Sequence, residues 1–279
     1  HEIPPNGQGI ATLIALGIAE RAGVGDRPVD DAETIHIAIE ATKLALADIA
    51  EYLADAAHLR IRAEDLLSPA YLAERAAMID PARAGDPAHG APKPGGTVYL
   101  ATGDASGMMV SFIQSNFMGF GSGVVVPGTG ISLQNRGVGF TLRPGHANTV
   151  GPRKRPAHTI IPGFALHGDG RPLMAFGVMG GPMQPQGHLQ LALRTIIHGQ
   201  DPQVAIDAPR WRVMSGRKVA VEPEFDPGVV AALRRLGHDI VVDPADAVFA
   251  FGGAQIVMRS GEGYVGGSDR RKDGQAVGF

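Results

Sequence analysis

Thr97 is the residue of this chain whose position is best suited to covalent chemistry. It follows Gly95-Gly96 and opens an apolar run at 98–100. If the bond between Gly96 and Thr97 is cut, the Thr97 hydroxyl becomes a nucleophile and its own α-amine, which titrates close to neutral pH, becomes a nearby base. The alternative is an ordinary β-forming threonine at the start of a strand.

The stretch before Thr97 has no pattern that could build a core. Its prolines and glycines alternate: Pro81, Gly85, Pro87, Gly90, Pro92, Pro94, Gly95 and Gly96. Such a composition predicts an exposed segment, either a linker between two domains or a processing segment whose last peptide bond is cut. In the second case, Gly95 and Gly96 would allow the unusual backbone geometry that attack by Thr97 on the preceding carbonyl needs.

Composition narrows the classes of function. The formal net charge of the 279-residue chain is -3, which argues against broad nucleic-acid binding. The chain has no cysteine, so disulfides, thiolate zinc sites and cysteine nucleophiles are excluded. His146, His158 and His167 lie far apart without paired carboxylates, and we expect no metal and no cofactor. No uncharged apolar run reaches about 18 residues, so we expect no membrane span.

The elements that must position Thr97 change character at this residue. Before it, apolar residues recur at helical spacing in three helices, with Asp30 and Glu33 as a capping-box-like start of the second and Ser68-Pro69 as the start of the third, which runs to about Ile79. After it, the period becomes that of strands. The predicted strands are 97–103, 108–114, 124–126, 159–166, 172–178, 240–242, 254–259 and 263–265, with helices at about 189–199 and 227–236. This order and the several hairpins predict an α+β fold in which helices cover an antiparallel sheet sandwich.

From Thr97 onward the chain resembles the γ-glutamyltranspeptidase family of N-terminal nucleophile hydrolases. The resemblance rests on several motifs in the right order. They are Thr97 after its glycines, Phe120-Gly121-Ser122-Gly123, Gly151-Pro152-Arg153-Lys154-Arg155-Pro156, Gly180-Gly181, Asp207-Ala208-Pro209-Arg210 and the terminal run from Asp269 to Gly278. Pro4-Pro5-Asn6-Gly7-Gln8-Gly9 and the run 48–53 are similar to the end of the family's large subunit. The similarity therefore covers nearly the whole chain.

The resemblance implies a four-layer αββα sandwich and a precursor that cuts itself before Thr97. Residues 1–96 would be the C-terminal part of the large subunit and 97–279 the small, catalytic subunit, both parts of one domain. We expect the first part of the large subunit to be absent here, since the chain opens His1-Glu2 without a methionine. The compartment of the protein, cytoplasmic, periplasmic or secreted, stays open, as does assembly into a homo-oligomer.

By the same resemblance, Ser115 matches a family threonine whose hydroxyl supports the nucleophile; the alternative is a polar strand end. The N–H groups of Gly180 and Gly181 would form an oxyanion hole, for which glycine suits because the backbone must approach the reacting atom closely; the alternative is a tight turn. His158 and Thr159 match a serine pair that holds the substrate carboxylate. The remaining candidate is Asn116, adjacent to the position of an assisting family asparagine.

Three departures from the family bear on the substrate. Val138-Gly139 stands where the family has an acidic pair, so the carboxylate that would hold an α-ammonium is missing. Arg136 matches a neutral family glutamine, and if it faces the site it should repel an ammonium and favour a carboxylate; the alternative is that it points to solvent. The loop 141–150 is also short, so the lid found in some members is expected to be absent.

Three functions stay in competition. The first is a γ-glutamyltransferase or glutathione hydrolase-like enzyme, in which Thr97 attacks a γ-glutamyl amide and forms an acyl-enzyme. The second is a cephalosporin-acylase-like amidase that prefers glutaryl-type acyl groups. The third, from another class, is a catalytically silent protein that keeps the sandwich and never matures. The basic run Arg153-Lys154-Arg155 is better explained as a solvated loop than as a nucleic-acid patch.

Overall fold

The computed structural model describes residues 1–86 and 97–279. Gly96, on the upstream side of the predicted cleavage bond, and most of the Pro/Gly segment lie outside the described residues. The helices are α1 (Gly9–Arg21), α2 (Ala32–Tyr52), α3 (Ala63–Leu66), α4 (Pro69–Ala76), α5 (Met183–Ala192), α6 (Pro202–Asp207) and α7 (Pro227–Arg235). The strands are β1 (Val98–Gly103), β2 (Met109–Gln114), β3 (Gly163–Leu166), β4 (Pro172–Met179), β5 (Trp211–Ser215), β6 (Lys218–Val221), β7 (Asp239–Val242), β8 (Gly253–Ser260) and β9 (Gly263–Ser268).

The helices before Thr97 begin where capping side chains satisfy the first backbone N–H groups. Ser68 Oγ accepts from the Tyr71 N–H at 3.4 Å, as the Ser68-Pro69 signature predicts. The expected cap at Asp30 is wrong by one residue, because the Asp31 carboxylate accepts from the Glu33 N–H at 2.8 Å. Among the helices at 1–86 and 97–279, none combines the length and the apolar character that crossing a membrane requires.

The strands form a β1–β2 hairpin, a four-stranded sheet in the order β3-β4-β8-β9, and a three-stranded sheet in the order β5-β6-β7. The α+β class is confirmed. The antiparallel expectation is wrong for β6 and β7, which pair parallel. The predicted strand 124–126 is also wrong, since Val125 forms an isolated bridge with Ser132. Strands β5 and β6 were not predicted.

The two faces of β4 show how the layers stack. Gly177 lies against the Tyr99 ring of β1, because a Cβ added to Gly177 would be 2.4 Å from that ring. The next residue, Val178, lies against α5, because a Cβ added to Gly187 of α5 would be 2.7 Å from the Val178 side chain. Neighbouring residues of a strand point to opposite faces. The β1–β2 hairpin therefore covers one face of the four-stranded sheet and α5 the other, which gives three consecutive layers, ββα, of the expected sandwich.

Candidate active site

The hairpin register brings Thr97 and Ser115 together. Thr97 directly precedes β1 and Ser115 directly follows β2, while the neighbouring residues Val98 and Gln114 are paired across the hairpin. The Thr97 hydroxyl donates to Ser115 Oγ at 3.0 Å. Ser115 Oγ also accepts from the Phe117 N–H at 2.9 Å. Both hydroxyls are thus held at the end of the hairpin that adjoins the predicted cleavage bond.

Arg136 contacts the Ser115 backbone and is buried, with 4% of its surface exposed. It begins a 3₁₀ helix, Arg136–Gly139. One guanidinium nitrogen donates to Thr159 Oγ1 at 2.8 Å and the other to the Ser115 carbonyl at 3.3 Å. The solvent-facing alternative for Arg136 is therefore wrong. Burial lowers the pKa of this arginine, and within the described ranges no carboxylate forms an ion pair with it.

Phe117 supports the guanidinium from the other side. Its ring centroid lies 5.3 Å from Arg136 Cζ, within the range of a cation–π contact. Its φ of 79° is rare for a residue with a bulky side chain, and such strain is concentrated at functional sites. Position 117 is the one that matches the assisting family asparagine, but no motif indicated a cation–π contact for the phenylalanine found there. Asn116, between Ser115 and Phe117, accepts from the Asn135 N–H through its carbonyl at 3.2 Å.

A glutamine that we gave no role joins the remaining candidates. Gln8 Nε2 donates to the Thr159 carbonyl at 2.8 Å and to the Gly181 carbonyl at 2.9 Å. The same segment pairs with His158, because Gly7 and His158 form a parallel bridge. Gln8 belongs to the Pro4–Gly9 motif, which was the available signal. Burial and the charge of Arg136 lower the pKa of His158 to about 4, so its imidazole is neutral at neutral pH.

Gly180 and Gly181 form the turn between β4 and α5. Their φ angles are 134° and 59°, both in the region that favours glycine. The Gly180 carbonyl accepts from the Met183 N–H and the Gly181 carbonyl from the Gln184 N–H, each at 3.1 Å. Together with Gln8, these bonds fix the orientation of the turn at the start of α5.

Gly181→Val keeps the backbone N–H, but a φ of 59° is strained for valine, so the N–H should shift away from the oxyanion. The kcat of the matured, full-length enzyme should then fall about 10²- to 10³-fold, the usual loss for one oxyanion donor. An added Cβ at Gly181 meets no atom within 4 Å, so backbone strain is the main structural cost. Gly199→Val is the control for backbone strain, because the exposed Gly199 has a φ of 62° and a Cβ added there also meets no atom within 4 Å. Equal turnover of the two variants, at equal melting temperature, would show that the oxyanion assignment is wrong.

One continuous series of hydrogen bonds therefore links five of the predicted site residues. It runs from Thr97 to Ser115, through Arg136 to Thr159, and through Gln8 to Gly181. A threonine hydroxyl, a buried cation and a glycine turn in one network can serve acyl transfer from a substrate that carries a negative charge.

A second polar cluster lies elsewhere and holds metal-type ligands. In the part of the chain that the structure describes, ligand atoms of His36, Glu40 and His238 come within 4.8 Å of one another, and all three residues are buried. His36 and Glu40 are four residues apart on α2 and so share a helix face, whereas His238 follows α7, which makes the cluster hard to see in the sequence. Lys43 Nζ lies 2.8 Å from Glu40 Oε1, so an internal ammonium already supplies the cation that this carboxylate needs. We therefore assign no metal to this cluster.

Comparison with known proteins identifies the relatives of this chain. The sequence model of the Gamma-glutamyltranspeptidase family matches residues 1–279. An oxamate amidohydrolase proenzyme of Klebsiella pneumoniae is 41% identical over 99% of this chain and 53% of its own length. A glutathione hydrolase-like proenzyme of Bacillus subtilis is 37% identical over 100% of this chain and 54% of its own length. The crystal structure of cephalosporin acylase from Bacillus halodurans matches with a TM-score of 0.90 and 48% identity, over 100% of this chain and 50% of that one. The chain thus spans about half the length of these relatives.

Proposed function

Since this chain belongs to the gamma-glutamyltranspeptidase family, we propose that it carries the nucleophile of a self-processing amide hydrolase whose acyl substrate bears a carboxylate. The observation that supports this most directly is the Thr97–Ser115 hydrogen bond with the buried Arg136 guanidinium behind it. The names of two relatives contain the word proenzyme, which agrees with maturation by cleavage.

Maturation would use the Thr97 hydroxyl. Its Oγ1 attacks the carbonyl carbon of Gly96, the C–N bond breaks, and the acyl group moves to oxygen while the proton passes to the Thr97 amine. Water then hydrolyses the ester, which releases the Gly96 carboxylate and restores the hydroxyl. We propose that the fragments 1–96 and 97–279 stay associated as one domain, because α1, α2 and α5 share a hydrophobic core with β5 and β6.

Turnover would repeat this chemistry on the substrate. The Thr97 α-amine accepts the hydroxyl proton as Oγ1 attacks the substrate carbonyl, and the same proton leaves with the departing amine. Water hydrolyses the acyl-enzyme. Ser115 orients the nucleophile through its hydrogen bond, and the Gly180 and Gly181 N–H groups stabilise the oxyanion.

The charges around the site favour an acyl group with a carboxylate and without an α-ammonium. Arg136 is buried without an ion-pair partner in the described residues, a costly arrangement that a substrate carboxylate would relieve. At Gly139, where the family has an acid, a Cβ would lie 2.7 Å from the Ala157 carbonyl oxygen. The backbone therefore leaves no room there for the carboxylate that an ammonium needs.

Within this class, oxamate-type and glutaryl-type amides are the leading substrates. The oxamate amidohydrolase and cephalosporin acylase relatives support amide hydrolysis without γ-glutamyl transfer. Glutathione hydrolysis is the second candidate, supported by the Bacillus relative and by the Thr159 hydroxyl at a carboxylate-binding position. It would need a further group to bind the ammonium.

The test compares kcat/KM of the complete, matured enzyme for oxamate, a glutaryl anilide and a γ-glutamyl anilide. We expect one of the first two to exceed the γ-glutamyl substrate by about 10-fold or more, since an unpaired cation beside Arg136 is repelled. A clear preference for the γ-glutamyl anilide would show that another residue binds the ammonium and would reject this description of the pocket.

A further inference from the structure

The buried polar cluster of His36, Glu40, Lys43 and His238 binds the backbone of Gly85, close to the end of the described range 1–86. Glu40 Oε2 accepts from the Gly85 N–H at 3.0 Å, and Lys43 Nζ donates to the Gly85 carbonyl at 3.0 Å. Both backbone groups of one residue are therefore bound by the two charges of one buried ion pair. We call these four side chains the Gly85 clamp.

The hydrogen-bond partners define the protonation of the two histidines. His36 Nε2 lies 2.9 Å from the Asp80 carbonyl, which can only accept, so this nitrogen carries a proton. In a neutral His36, Nδ1 then accepts from His238 Nε2–H at 2.7 Å. His238 Nδ1, at 3.5 Å from Lys43 Nζ, accepts in turn. Donation thus runs in one direction, from Lys43 through both imidazoles to the Asp80 carbonyl.

The charges agree with this arrangement. Burial, together with the neighbouring Lys43 and His36, lowers the pKa of His238 to about 3, so the His238 ring is neutral at physiological pH. Burial also lowers the pKa of Lys43, opposed by its bond to Glu40. The side chains of Lys43 and Glu40 are 1% and 6% exposed.

A buried ion pair of this kind adds little net stability, because the cost of removing two charges from water offsets their attraction. The cluster instead holds residues 80–86 in place through its hydrogen bonds to the backbone of Asp80 and Gly85. A further bond, from the Ala84 N–H to the Leu236 carbonyl at 2.6 Å, holds the same segment against the end of α7. The upstream end of the Pro/Gly segment is thus fixed at several points.

The downstream end is fixed as well, since Thr97 bonds to Ser115 and Val98 begins the hairpin. Fixing both ends of a connection reduces the number of conformations that it samples. Because nucleophilic attack requires a narrow range of approach geometries, such a restriction increases the fraction of chains in which reaction can occur.

We propose that the Gly85 clamp is a positioning site for maturation: it fixes the chain upstream of the Gly96–Thr97 bond and so accelerates self-cleavage without taking part in turnover. This inference rests on the proposed function, since it needs a cleavage that depends on Thr97. Glu40 and Lys43 touch backbone in this cluster and belong to none of the contacts of the active-site network.

The test replaces both charges by apolar side chains, Glu40→Leu with Lys43→Met, in the full-length precursor. The matched control is Asp48→Leu with Arg75→Met. Asp48 also lies on α2, its ion pair with Arg75 is largely buried, and the hydrogen bonds of this pair within the described residues do not reach residues 80–86. Three quantities are measured: the rate at which the fragments appear on a denaturing gel, the melting temperature in a Thr97→Ala background, and kcat/KM of the matured fraction.

We expect cleavage of the clamp variant to slow about 10-fold or more relative to the control, since a small displacement of the reacting groups strongly lowers the rate of an intramolecular reaction. Its melting temperature and the kcat/KM of its matured fraction should match those of the control. Cleavage at the control rate, or activity lost in proportion to stability, would overturn the proposal. If the double variant is insoluble, Glu40→Gln serves instead. Glu40 accepts from both Lys43 Nζ and the Gly85 N–H, and a glutamine amide has only one oxygen, so one of these two donors then faces the amide NH₂ group.

Two further outcomes separate this inference from others. If EDTA changes the cleavage rate or the melting temperature of the parent protein, a metal rather than Lys43 organises the cluster, and the clamp as described is wrong. If the parent protein does not cleave in a Thr97-dependent manner, the proposed function itself fails. Normal cleavage of both parent and clamp variants rejects the clamp alone.

Discussion

Thr97→Ala is expected to leave the full-length precursor uncut, while the parent protein separates into fragments that meet between residues 96 and 97. The variant lacks the oxygen that must attack the Gly96 carbonyl, and its amidase activity should fall to the uncatalysed background, because no acyl-enzyme can form. Thr97 stands at the start of the network through its bond to Ser115. A denaturing gel and a turnover assay measure the two effects.

Thr97→Ser is the control for this experiment. It keeps the hydroxyl and loses one methyl group, so cleavage should continue, at a rate set by how well the smaller side chain is held. Cleavage of Thr97→Ala at the parent rate would identify an outside protease and remove the reason for assigning the nucleophile. An uncut parent protein without activity would favour the catalytically silent alternative.

Local signals explain which parts of the fold were predictable. Ser68-Pro69 marks a helix start by itself, because the cap and the bound N–H groups lie within one turn. The β1–β2 hairpin was also predictable, since Asp104 in its turn accepts from the Ser106 and Met108 N–H groups and so encodes the reversal locally.

Partners distant in sequence explain part of what was missed, although β5 and β6 also pair with each other in a local hairpin. Strand β5 is paired by side chains of α5: Gln186 and Gln190 bind the N–H and carbonyl groups of Val213 and Trp211 as a neighbouring strand would. No period within β5 encodes that contact. In contrast, the valines at 124–126 have strand propensity but obtain one bridge, at Val125, so they do not extend into a strand.

The site divides in the same way. Thr97, Ser115 and the glycine turn could be proposed from their motifs, and the structure brings Thr97 and Ser115 into contact. The positive φ of Phe117 and the two hydrogen bonds from Gln8 to the carbonyls of Thr159 and Gly181 depend on tertiary packing. The Pro4–Gly9 motif marks the segment that contains Gln8 but does not identify these partners. The burial of Lys43 is of the same kind, since its acceptor at Gly85 lies outside α2.

Arg136→Gln should have the largest effect on substrate choice. If the guanidinium binds the substrate carboxylate, kcat/KM for oxamate or a glutaryl anilide falls about 10²- to 10³-fold, the usual range for truncating one partner of a buried charge pair. The γ-glutamyl anilide should lose less, because the variant also removes a positive charge that repels its ammonium. The ratio of the two kcat/KM values therefore shifts toward the γ-glutamyl substrate.

Stability distinguishes this role from a structural one. Arg136 is buried without an ion-pair partner in the described residues, so neutralising it removes a desolvation cost, and the melting temperature of Arg136→Gln should not drop. Arg143→Gln is the matched control in the neighbouring loop, since Arg143 is exposed and pairs with Glu51. This variant should change neither the ratio of the kcat/KM values nor the melting temperature. A large loss of melting temperature in Arg136→Gln, with equal losses of kcat/KM for all substrates, would mean that the guanidinium holds Ser115 and Thr159 in place and does not select the acyl group.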